Sequence, residues 1–122
     1  MNVESLKKIF GAEAEVKQYG VGFVVQTIFC SPQTAEPLVV GMIERERNEL
    51  ELTDFQFASE FLENNKLDLD KLFYKITDIA KKHDVEWIDD ELFCFCNIKD
   101  VKICWSNMVE AMQEMMSLSD HN

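Results

Sequence analysis

The residues of this chain with chemistry to offer are a few cysteines, one histidine and a run of acids. Cys94 and Cys96 stand two positions apart, and Cys104 follows on the next predicted element; Cys30 lies far upstream. On a strand, positions i and i+2 point to the same side, so Cys94 and Cys96 would present their sulfurs together. Zinc sites favour closed sets of four ligands with spacings such as Cys-x2-Cys. Cys-x-Cys followed by a single cysteine does not fit, and a free cysteine packs as a small hydrophobe. Core packing is therefore the expected role of Cys94, Cys96 and Cys104, with no metal and no cofactor.

Asp89-Asp90-Glu91 is the second candidate. Neighbouring carboxylates can hold a hard cation or transfer protons. The EF-hand order of acids is absent, and Asp-Asp between two β-prone runs has the chemistry of a hairpin turn. His83 falls at the end of a predicted helix, where a cation complements the dipole. The other histidine, His121, is in the tail. No nucleophile signature surrounds a cysteine. The four glycines form no phosphate-cradling loop. No catalytic residue is assigned, and the chain is read as non-enzymatic.

The 122 residues carry a formal net charge of −11. That disfavours direct binding to nucleic acid or to anionic membranes and favours a basic protein partner. The charge is uneven. Residues 36–70 hold ten acids and three bases, whereas residues 71–83 hold four bases and one acid. The carboxylates expected to meet a partner are Glu44, Glu46, Glu49, Glu51, Glu60 and Glu63. No apolar run is long enough to cross a bilayer. The N-terminus lacks the apolar stretch of a signal peptide, so a cytoplasmic location is expected.

Periodicity gives the elements that must position these residues. Val3, Leu6, Ile9 and Phe10 form the stripe of a short helix, with Asn2 as its cap and Gly11 at its end. Val16 to Cys30 reads as one long strand, with a bulge or bend at Gly20 and Gly22 and apolar residues on both faces beyond them. Ser31 to Pro37 is a loop bounded by prolines. Leu38–Ile43 and the strand ending at Leu52 complete a three-strand antiparallel meander around the polar turn ERERNE. Thr53 with Gln56 has capping-box spacing, opening a helix that buries Phe55, Ala58, Phe61 and Leu62. Asp68 caps a second helix, striped by Leu69, Leu72, Phe73, Ile76, Ile79 and Ala80, that ends near His83. A hairpin spans Val85–Asn97. Asp100 caps a last helix with Val101, Cys104, Trp105, Met108, Met112 and Met115 on one face; residues 119–122 should be loose.

The predicted fold is a single α+β domain. An antiparallel sheet of about five strands, meander plus hairpin, has helices on one side. They are an N-terminal helix, a central pair and a C-terminal helix. The methionine-rich last helix has two readings, a core element or an adaptable face for a homodimer.

Leu52-Thr53-Asp54, and the run from His83-Asp84-Val85 to Asp90-Glu91-Leu92-Phe93, resemble the punctuation of an uncharacterised family of small bacterial and prophage domains, a domain of unknown function. The resemblance covers most of the chain. It departs at ERERNE, where the family pattern has Asp-Gly, and in lacking a glycine after Leu-Thr-Asp. It implies the fold and carries no assigned chemistry. A weaker similarity, in element order and acidity, is to type III secretion chaperones, which are small acidic dimers. Two functions are expected from these readings. One is an acidic binding protein acting by protein–protein contact, such as a prophage inhibitor that mimics the charge of nucleic acid. The alternative is a dimeric chaperone-like protein.

Overall fold

The computed structural model describes residues 1–11, 14–30 and 37–121, so the loop expected at Ser31–Pro37 lies, apart from Pro37, outside the described residues. The first helix, α1 (Val3–Phe10), has a reciprocal cap: the Asn2 side chain accepts from the Ser5 N–H, and the Ser5 hydroxyl accepts from the Asn2 N–H. Its Leu6 is fully buried.

The stretch expected as one strand from Val16 to Cys30 is two, β1 (Glu15–Tyr19) and β2 (Gly22–Cys30). The sequence reading placed a bend where the chain reverses. Gly20 has φ of +61°, and Tyr19 pairs directly with Gly22. A glycine with positive φ at the first centre of a two-residue loop matches the right-handed twist of a hairpin. The meander thus has four strands, continuing through β3 (Pro37–Glu46) and β4 (Glu49–Thr53). The expected polar turn is present at Arg47-Asn48, with Asn48 left-handed.

Two helices follow, α2 (Phe57–Asn64) and α3 (Leu69–Lys82), then β5 (Glu86–Ile88), β6 (Glu91–Asn97) and α4 (Val101–Met116). Asp68 caps α3 as expected, accepting from the Asp70 N–H. Asp100 precedes α4 without a side-chain cap bond; Asn97 instead caps a short 3-10 turn, Ile98–Asp100. Beyond α4 the chain continues as a 3-10 turn, Ser117–His121, where a loose end was expected, and the Ser119 hydroxyl donates to the Met116 carbonyl. Asp89 and Asp90 form the β5–β6 turn, both with positive φ, as a two-residue hairpin requires.

The result is an α+β fold: one six-stranded antiparallel sheet in the order β1-β2-β3-β4-β6-β5. Alternation in the register assigns its faces. Val16, Phe23, Val25, Val40, Met42, Leu50, Leu52, Leu92, Cys94 and Cys96 fall on one side and are buried under the helices. Met108, Met112, Met115 and Met116 of α4 are fully buried in the same core. None of the described helices is long and apolar enough to cross a membrane.

Candidate functional site

The junction between β4 and α2 departs most from the sequence reading. No Thr53–Gln56 capping box forms. Thr53 ends β4, buried, and its hydroxyl donates to Glu91 and accepts from the Phe55 N–H. Asp54 does the capping. One oxygen, Oδ1, accepts from the Gln56 N–H and, across the sheet, from the Leu92 N–H, both at 3.0 Å. The other, Oδ2, accepts from the Ala58 N–H at 3.1 Å. Asp54 is 1% exposed. Burial pushes its pKa up from 3.8 to about 6, against the pull of the three backbone N–H groups. Asp54 thus ties the start of α2 to β6.

This tie forces the chain into a tight step. Phe55 and Gln56 both have positive φ, +55° and +64°. The left-handed region costs a bulky residue roughly 1–2 kcal/mol. Phe55 was expected in the core. It is instead 44% exposed, because the left-handed step turns its ring onto the far face of the sheet. There it lies over Gly41, and a β-carbon at that position would collide with the ring. The Phe55 ring also meets Tyr19 edge-on, with centroids 6.3 Å apart.

None of the described helices lies on that far face. By register it carries Lys17 and Tyr19 of β1, Val24 of β2, Val39 and Ile43 of β3, Glu49 and Glu51 of β4, and Phe93 and Phe95 of β6. Tyr19 is 71% and Phe95 55% exposed. The Phe93 and Phe95 rings stack, with centroids 6.2 Å apart. Acids stand among these rings: Glu15, Glu49, Glu51, Glu86 and Glu91 all fall on this side. Lys17 sits 3.9 Å from Glu15, and Arg45 pairs with Glu51 at 2.7 Å. The sheet therefore presents an apolar, aromatic face that is net negative, with its acids mostly on β4, β5 and β6 and Glu51 between Ile43 and Phe95.

The predicted partner carboxylates do not fall on one surface. Glu44, Glu46 and Glu49 cluster at the β3–β4 hairpin, and Glu51 lies on the open sheet face. Glu60 and Glu63 are exposed on α2, on the helical side. The methionine face of α4 is internal to the chain, with Met108, Met112, Met115 and Met116 fully buried. On α3, Phe73 was placed in the stripe but is 49% exposed, edge-on to the exposed Tyr74.

The cysteines pack as expected. Cys94 and Cys96 point from β6 into the core, and Cys104 approaches both from α4. Burial, then the Cys104 thiol, pushes Cys94 up to about 12 and Cys96 upward as well. Thiols so far from ionising are poor nucleophiles at neutral pH. Among the described residues, no group of three or more His, Cys, Asp or Glu side chains is placed to hold a metal ion. His83 sits between α3 and α4, 3.0 Å from Glu114 and 3.5 Å from Glu110. Lys82 meets Glu114 at 2.8 Å; that contact first, and His83 second, hold the Glu114 carboxyl below its usual range.

Sequence reasoning missed Tyr19, Phe55 and the Phe93–Phe95 pair as surface residues. A signal for the last existed: Leu92-Phe93-Cys94-Phe95-Cys96 is apolar at every position. A strand with one solvated face alternates, so unbroken apolarity marks a second face with work beyond solubility. Compared with protein-family models, curated proteins and solved structures, the chain matches none. The resemblance given above therefore rests on the motifs quoted for it.

Proposed function

We propose that this is a non-enzymatic protein-binding domain that holds a cationic partner on the open face of its sheet. The observation that carries this reading is the face itself: exposed Tyr19, Phe55 and Phe95, with half-buried Val24, Val39, Ile43 and Phe93, and carboxylates beside and between them. Contiguous exposed apolar surface with a polar rim marks interaction sites. Aromatic residues at the centre of a patch supply most of an interface's energy. The carboxylates of the face select the sign of the partner and steer its approach. They also disfavour a second copy of this chain, which would bring the same carboxylates face to face.

This reading keeps the expected acidic contact protein but shifts its centre from Glu44, Glu46, Glu60 and Glu63 to the sheet. Inhibition by mimicry of nucleic-acid charge is one form such contact can take, and holding an unfolded client is another. Capture of partners from the native host tests the common claim. Wild-type protein and a Phe95→Glu variant would serve as baits, with the recovered partner then purified and its affinity measured. Phe95 is exposed, so the variant should fold. We expect the variant to lose at least tenfold in affinity and the wild-type complex to weaken with salt. Equal affinity of the two proteins would defeat the proposal.

A further inference from the structure

The open face is not uniform. Tyr19 and Phe55 stand together as a ridge across β1–β3, and a hollow lies on each side of it. One hollow, of about 280 Å³, is floored by Gly22 and Ile43 and closed by Val21. The other, of about 550 Å³, is floored by Val24 and Val39 and edged by Gln26 and Lys17. Both share the two rings as a common wall. The chain meets three conditions to build this ridge. It accepts consecutive left-handed residues at Phe55 and Gln56. It fixes them through Thr53, Asp54 and a bond from the Gln56 amide to the Asp89 carbonyl. It leaves position 41 without a side chain beneath the ring. A strained backbone that persists because its surroundings over-determine it is a pointer to a working site.

Resting on the reading above, we infer that the Tyr19–Phe55 ridge is the specificity element of the docking face, with its two hollows taking two apolar side chains from one cationic peptide segment of the partner. The smaller hollow is lined almost entirely by apolar groups, the larger by Tyr19, Val24, Val39 and Phe55 with Lys17, Gln18 and Gln26 beside them, and both open along the face, which suits side chains carried on a chain. The occupant is cationic beyond its apolar pair: the hollows themselves carry no carboxylate, but on the face as a whole Glu15, Glu49, Glu51, Glu86 and Glu91 outnumber Lys17 and Arg45, and each of these cations already has an acid partner. The basic residues follow the apolar pair toward β4, β5 and β6, where Glu49, Glu86 and Glu91 lie.

The test is an amide NMR titration with a synthetic dodecapeptide of alternating Leu and Lys. A peptide of alternating Ser and Lys serves as the equally charged control. The expected result is saturable binding of the Leu peptide, with the largest shifts at Tyr19, Val24, Val39 and Phe55, and at least tenfold weaker binding of the Ser peptide. Gly41→Ala, which drives the Phe55 ring from its seat, should weaken the Leu peptide tenfold or more. Phe55→Gly, which removes the ring and relieves the positive φ, should do the same even if Gly41→Ala fails to fold. No saturable binding, or binding indifferent to Leu, overturns the proposal. Shifts centred on Phe93 and Phe95 that survive Phe55→Gly overturn the ridge but leave the docking face standing; shifts centred on α3 remove both. Concentration-dependent shifts at the ridge without peptide would make a second copy the occupant and equally overturn it.

Discussion

Asp54 shows what one buried carboxylate can organise. It satisfies three backbone N–H groups on two elements, and the cost of its desolvation appears as a folded pKa of about 6 against 3.8. The folded state therefore holds a proton that the unfolded state releases first. Asp54's contribution to stability is full below about pH 4 and is lost as pH rises through about 6. A shift of this size is worth about 3 kcal/mol. In urea denaturation, wild-type stability relative to Asp54→Asn should fall by about that amount between pH 4 and 7; a difference that is flat with pH would contradict this account. From sequence, the step after Leu52 was legible as a helix start, through the spacing of Thr53 and Gln56. That Asp54 rather than Thr53 caps it was not. The choice depends on Leu92, 38 positions away in sequence, whose N–H meets Asp54 only once the sheet has formed. Phe55 was lost for the same reason, since a helical stripe cannot foretell a left-handed residue.

At the scale of elements, periodicity served well wherever an element buries one face. The caps at Asn2 and Asp68, the stripe of α4 and the Asp89-Asp90 turn were all readable, because each depends on residues within a few positions. The β1–β2 reversal was not, because β-prone residues run on both sides of a two-residue turn that only Gly20 betrays. The methionines of α4 left two readings open, and packing decides for the core. Met112 is fully buried, and Met112→Ala should cost roughly 2–5 kcal/mol in urea denaturation. A loss under about 1 kcal/mol would mean that α4 does not pack as described. Between α3 and α4, Lys82 and His83 converge on Glu114, which explains why the basic end of α3 sits beside an acidic helix. The bases counted in residues 71–83 are thus partly matched by acids of α4.

On the whole molecule, the sheet divides the chain into a side built for folding and a side available for contact. The helices, the α4 methionines, Cys94, Cys96 and Cys104 occupy the first. Aromatic rings and carboxylates occupy the second, while α3 presents Phe73 and Tyr74 among lysines on the helical side. The net charge of −11 pointed to a basic partner but not to a place, because composition does not distribute charge over faces. The measurement that separates the two sides most directly is oxidative footprinting of aromatic side chains in the purified complex. Tyr19, Phe55 and Phe95 should be modified in the free protein and protected by the partner, with Phe73 and Tyr74 modified equally in both states. Protection of Phe73 and Tyr74 with the sheet aromatics unchanged would show that the partner docks elsewhere.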